Sequence, residues 1–375
     1  MIRQSIRLAR IRGIEIGVHY SWFIVLVLIT LSLTTLFAEE HPQWPRFEHY
    51  AMGAAASLLF FGSILLHELA HSFVALAKRI PVRSITLFVF GGIAQITREP
   101  DRPFTEFQIA IVGPIASMGL ALGFKLIAIT ATGWSDHVLA VADWLAHVNL
   151  VLAVFNLLPG FPLDGGRVFR AVVWRVTGSY TRATAIAAKS GQAMGYMFIL
   201  GGILIGFTAN WFNGLWLAFI GWFLLIMAQE SVLQATLRSA LKGLMAKDIM
   251  ALDCPTVSGR MSLAELVEDH MLRTGQRCFL VAEDGNVEGL VTLHQVKTVP
   301  RERWAVTPVN GAMIPYDRLR VVHPDTPILE VLEVMDRADV NQVPVTKAGR
   351  LLGMITRDHL LQIIRARMEL ETQAA

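Results

Sequence analysis

The chain has 375 residues, 54% hydrophobic and only 17% charged, and a mean hydropathy of +0.49. A soluble domain carries about 25% charged residues, so this composition argues against an ordinary soluble enzyme and rules out a collagen-like, disordered or small disulfide-stapled chain. The deficit is uneven: residues 1–235 hold 28 of the 63 Asp, Glu, Lys and Arg, and residues 236–375 hold the other 35, which reads as a membrane part followed by a soluble part.

In chain order, the first twelve residues carry Arg3, Arg7, Arg10 and Arg12, and an apolar stretch follows from about 19 to 38. The run is too long for a cleaved signal peptide and no clean small-residue cleavage site follows it, so it reads as an uncleaved first span. Five further runs, at about 52–77, 106–131, 138–158, 190–209 and 213–235, reach the roughly 20 helical residues that cross a hydrocarbon core. The amino terminus, 78–103 and 167–189 are rich in Lys and Arg, whereas the loops near 39–50, 132–137 and 210–213 are poor in them. Six spans with both termini in the cytoplasm satisfy every loop. Trp44, Trp134 and Trp211 stand where interfacial anchors are expected.

One segment does not read as helix. Residues 82–99, VRSITLFVFGGIAQITRE, place β-branched and aromatic residues on each side of Gly91-Gly92, a hairpin pattern. An open strand edge cannot face lipid, so it is either an interfacial cytoplasmic loop or an edge strand that accepts an extended substrate by strand addition.

The second span contains LLHELAHSF, with His67, Glu68 and His71. Histidines four apart share a helix face, so both imidazoles can reach one metal ion while the intervening Glu holds a water. Three ionisable groups in five membrane-embedded positions are costly and need a compensating partner; a metal supplies one, and a polar transport path is the alternative. A third ligand must come from another span. The fourth ends in FNLLPGFPLDGGRVFR (155–170), where Pro159 and Pro162 interrupt the helix and deliver Asp164 to a wet place within the bilayer. Taken alone, Asp164 reads equally as the cap of a helix that begins near Gly165.

These paired motifs resemble the site-2 protease family of intramembrane zinc metalloproteases, and the tail resembles the branch that carries CBS domains. The resemblance spans nearly the whole chain. It implies one catalytic zinc ion held by His67, His71 and Asp164, with Glu68 as catalytic base in an HExxH-type endopeptidase. It also matches Asn156 to a polar position that holds substrate or oxyanion, and 82–99, with Gly91 and Gly92, to a membrane-embedded sheet beside the active site. Gly113-Pro114 fits the family pattern too and reads as helix packing. Of the remaining histidines, only His147 is a candidate to support the site.

The tail contains a repeat with a period near 63 residues. MAKDIM (245–250) matches NGAMIP (310–315), and SLAELVEDHML (262–272) matches PILEVLEVMDR (327–337). CFLVAEDGNVEGLVTLHQV (278–296) matches QVPVTKAGRLLGMITRDHL (342–360), with turns at Asp284-Gly285 and Gly349. Two such units resemble a CBS pair, and such pairs often bind adenine nucleotides. The signature is a Thr followed three residues later by a ribose-holding Asp, but here Thr292 is followed by Gln295 and Thr356 by His359. Asp358 is displaced by one residue, about 100° round a helix. Weak, altered or absent nucleotide binding is therefore expected, and a structural or homodimerising role is an equal alternative. Cys254 and Cys278 have no metal-type spacing and suit a reducing compartment.

The expected fold is thus a polytopic α-helical membrane protein of about six spans with a small membrane-associated hairpin, plus a soluble α/β CBS pair. The expected domains are 1–238, 244–299 and 306–366. The expected function is regulated intramembrane proteolysis of a membrane-tethered protein, in a prokaryotic inner membrane with the CBS pair in the cytoplasm. The partners are a transmembrane protein substrate and the lipid bilayer, and nucleic acid is not among them, because no basic patch is dense enough. The competing readings are a CBS-regulated transporter or channel and an inactive scaffold. Inverted repeats among the spans would support transport, and none is visible; the complete ligand set opposes the scaffold.

Overall fold

The computed structural model describes residues 5–373 except 90, 97, 242, 252–254, 284, 285, 339, 348 and 349. Cys254 and the turn residues Asp284-Gly285 and Gly349 lie outside the described residues. The chain divides into two compact units, Met1–Ala235 and Thr236–Ala375.

The first unit opens with a hairpin, β1 (Ser5–Ile11) and β2 (Ile14–His19), where only a basic leader had been expected. Among the described residues, six helices are long and apolar enough to cross a bilayer: α1 (Tyr20–Glu40), α2 (Arg46–Ala77), α3 (Pro103–Ala131), α4 (Asp136–Asn156), α6 (Tyr180–Thr208) and α7 (Trp211–Leu241). The protein is therefore a multi-pass membrane protein. Between α4 and α6 lies α5 (Asp164–Thr177), so the basic 167–189 stretch is mostly helix. β3 (Val82–Phe88) and β4 (Gly91–Ile96) form the expected hairpin. Its turn falls earlier than expected, because Phe88 pairs with Gly91 and Leu87 with Gly92; the glycines belong to β4. β2 pairs with β3 in parallel, which joins the two hairpins into one sheet of order β1-β2-β3-β4.

Close helix packing uses small residues, as expected where lipid offers no hydrophobic drive. At the α6–α7 contact a Cβ on Gly202 would overlap the Gly214 carbonyl or come within 2.6 Å of the Ala218 amide nitrogen. Beneath the sheet, Ile14, Leu69, Ile80, Ile85 and Ile109 form a buried apolar layer that fixes β2 and β3 against α2 and α3. Trp134 and Trp211 are exposed as expected of interfacial anchors, but Trp44 is buried. It stacks between the His41 and His137 rings, each 4.2 Å away.

In the second unit, β5 (Thr256–Val257), β6 (Cys278–Glu283), β7 (Asn286–Thr292) and β8 (Ile314–Pro315) form one sheet. β9 (Gln342–Lys347) and β10 (Arg350–Thr356) form the other. The repeat is present as two paired strands followed by a helix in each half. Each repeat's opening segment packs on the other's core. Ala246 and Ile249 join Ile328, Val343 and Ile355, and Val309 joins Val257, Phe279 and Val291.

Candidate metal centre

α2 carries His67 and His71 on one face, and both imidazoles are buried. Across from them, α4 ends at Asn156 and the chain turns through Pro159 to Pro162 before α5 starts. Asp164 is the first residue of α5, and the cap position before it is Leu163. Asp164 Oδ2 lies 3.0 Å from Nε2 of His67 and 3.0 Å from Nε2 of His71, and the two Nε2 atoms are 3.2 Å apart. His67, His71 and Asp164 are the one such donor group among the described residues.

The outer ring nitrogens define which atom faces inward. His71 Nδ1 donates to the Ile109 carbonyl at 2.6 Å, and His67 Nδ1 is 2.9 Å from Ser117 Oγ. A carbonyl only accepts, so the proton of a neutral His71 sits on Nδ1 and Nε2 offers a lone pair. That lone pair and the Asp164 carboxylate, 3.0 Å apart, repel unless a cation lies between them. A tetrahedral zinc with bonds near 2.0–2.1 Å spaces its ligands about 3.3 Å apart, close to the separations seen here, so the donor set fits that ion.

α3 forms the back wall. Pro114, inside the helix, lacks the N–H that the Ala110 carbonyl would accept, and the neighbouring Ile109 carbonyl binds His71. A Cβ at Gly113 would overlap Nε2 of both histidines. This corrects the reading of Gly113 as helix packing alone: it touches the donor cluster. Ser117 was missed by sequence reasoning, and its place one turn after Gly113 was the available signal. β4 forms the lid, because a Cβ at Gly92 would stand 2.5 Å from Glu68 Cγ. Gly91 adopts φ 121°, a region natural to glycine. Asn156 Nδ2 donates to the Leu152 carbonyl of its own helix at 3.0 Å. His147 is exposed and lines a groove between α3 and α4; the imidazoles are supported by Ser117 and Ile109 instead.

Fold and donor set together define a multi-pass membrane protein with a zinc-type centre buried among its helices and a tail of two tandem repeats. Residues 55–134 and 126–201 match peptidase family M50, and residues 246–301 and 312–366 match the CBS domain. The chain is 34% identical over 367 residues to Rip3 of Mycobacterium tuberculosis, named provisionally as a zinc metalloprotease, covering 97% of this chain and 93% of that one. A zinc metalloprotease of Methanocaldococcus jannaschii is 29% identical over 365 residues, covering 96% and 95%. The solved site-2 protease of Methanocaldococcus jannaschii is similar at 27% identity and a TM-score of 0.44, covering 61% of this chain and 95% of that one. The chain belongs to peptidase family M50, the site-2 proteases, and carries a CBS pair.

Proposed function

We propose that the protein is a zinc-dependent endopeptidase that cuts a membrane-tethered protein within or near its transmembrane segment. The observation that carries this reading is the convergence of His67, His71 and Asp164 beside Glu68, beneath the edge strand β4. His67, His71 and Asp164 would hold one ion. Zinc bound there supplies Lewis acidity toward a peptide carbonyl and its attacking water.

The chain's own residues do the rest. β4 is the last strand of its sheet, so its outer edge offers backbone groups to an extended substrate. A transmembrane helix must unwind to use them, and main-chain pairing repays part of that cost. Glu68, half-buried between the two histidines in sequence, takes the proton of the attacking water and passes it to the leaving amine. Gly92 leaves room for the substrate backbone to approach the Glu68 carboxylate. Asn156 holds the Leu152 carbonyl with one N–H of its amide, which leaves the second N–H to serve the developing oxyanion.

Positive-inside orientation supports both termini in the cytoplasm of a prokaryotic membrane, with water entering from the Asp164 end of the bundle. We place the domains at 1–238, 244–299 and 306–366, and assign the CBS pair a regulatory or dimerising role. The test compares the wild type with Glu68→Gln on a panel of candidate transmembrane substrates, together with metal analysis. Glu68→Gln is expected to keep its zinc and lose cleavage; cleavage at the wild-type rate would refute the assigned base.

A further inference from the structure

A groove of about 770 Å³ runs along the bundle surface between α3 and α4. Its wall is apolar, including Met118, Leu122 and Leu150, yet it also contains Lys125, Asp143 and His147. Lys125 Nζ donates to Asp143 Oδ1 at 2.5 Å, and the two side chains are 55% and 53% exposed. At 1.5 Å per residue, α4 spans about 31 Å, the thickness of a hydrocarbon core. On the same scale Lys125 lies about 9 Å, and Asp143 about 10 Å, from the Ala131 and Asp136 end of their helices. The pair therefore sits about one third of the way into the bilayer and faces outward.

That placement is unusual. Ionisable groups within membrane spans normally face the bundle interior or a wet cavity. Lys125 is tied to Asp143, so it is not simply reaching for the interface. A phospholipid headgroup sits at the helix ends, above this depth. A transmembrane segment with an amide or hydroxyl side chain reaches it, accepting from the remaining Lys125 protons and donating to the free oxygen of Asp143. Gly119 lines the groove, and the space its Cβ would fill is open, which allows close helix approach. The lining of the groove also neighbours the site along the chain. Pro114 lines it and follows Gly113, which abuts both imidazoles. Leu157 lines it as well and begins the turn that leads to Asp164.

We propose that this α3–α4 groove docks the substrate's transmembrane helix, and selects one with a polar side chain at the depth of Lys125 and Asp143. The occupant's identity rests on the proteolytic reading above; the geometry of the groove does not.

The test uses the full chain with Glu68→Gln in phosphatidylcholine nanodiscs, with photoreactive benzoylphenylalanine at Leu122 in the groove or, as control, at Leu28 on α1. The probe is a Lys-flanked polyleucine peptide of about 21 residues, with or without one Asn a third of the way in from the end matching Ala131 and Asp136. The Asn peptide is expected to crosslink at Leu122 about three- to tenfold more than the all-Leu peptide, with no such preference at Leu28. Lys125→Met with Asp143→Leu is expected to abolish the preference. The exchanged pair, Lys125→Asp with Asp143→Lys, is expected to retain it, which shows that loss in the first variant is not misfolding. Equal yields for the two peptides would overturn the proposal. So would a preference that survives neutralisation, or one removed by replacing phosphatidylcholine with phosphatidylglycerol, which would give the groove to lipid. Cleavage plays no part in this readout. Failure here leaves the protease reading standing, and failure to cleave leaves the docking result intact.

Discussion

Gly113 and Ser117 touch the proposed metal centre without joining its donors. Gly113 brings the α3 backbone against both imidazoles, and Ser117 holds the far nitrogen of His67. Gly113→Ala is expected to push the rings out of register and to lower bound zinc at least about tenfold. Ser117→Ala frees one ring only and is expected to cost about ten- to a hundredfold in zinc affinity, the usual range for groups that orient ligands. Metal analysis after dialysis against graded chelator checks both; wild-type zinc retention by Gly113→Ala would show that the wall yields. The histidine pair was legible in the sequence because i, i+4 spacing on a helix fixes a shared face. Gly113 and Ser117 were not, because their role is a distance between two helices that no local pattern encodes. Asp164 stood between: two prolines announced an interruption, but only the return of the chain across α2 brings its carboxylate to the rings.

At the scale of the element, α5 must be held firmly for Asp164 to stay within 3 Å of its partners. Arg170, almost two turns further along α5, does this from beneath. Its Nε donates to Glu106 Oε1 of α3 at 2.6 Å, and its guanidinium lies 4.7 Å from each of the Phe161 and Tyr180 ring centres. Glu106 is fully buried, and its second oxygen has no partner among the described residues. Removing one member strands a buried charge, whereas removing both does not. Arg170→Met is thus expected to destabilise the protein by about 3–5 kcal/mol, and adding Glu106→Leu is expected to recover most of it. Thermal unfolding in detergent measures both; equal losses in the single and double variants would mean that the pair only fills space. The charges of 167–189 read from the sequence as an orienting cytoplasmic loop. They did so because the positive-inside pattern counts Arg without showing that Arg170 turns inward. The hairpin at 82–99 was legible from its β-branched alternation. Its turn was displaced by two residues because paired glycines usually mark a turn, and here they line the strand that covers Glu68.

For the whole molecule, the uneven charge gave the division into a membrane part and a soluble part, and the 63-residue period gave the paired repeats. The exchange of opening segments between the repeats was not legible, since short apolar runs match either core. It makes the pair one folded body, so a ligand in it would meet both repeats at once. The side chains at the nucleotide position argue for little affinity. The Thr292 hydroxyl donates to the Gln295 amide oxygen, and Gln295 stands where nucleotide-binding repeats place an acid. In the second repeat Asp358 is exposed, and His359 takes the acid's place. A ribose diol donates two hydrogen bonds to a carboxylate, and neither the engaged amide nor an imidazole accepts both. Titration of the purified full chain with AMP or ATP is therefore expected to give no saturable heat below about 1 mM. Restoring acids with Gln295→Asp and His359→Asp is expected to tighten binding at least tenfold over wild type, about 1.4 kcal/mol. Micromolar binding by the wild-type chain would overturn this expectation and return the CBS pair to the role of nucleotide sensor.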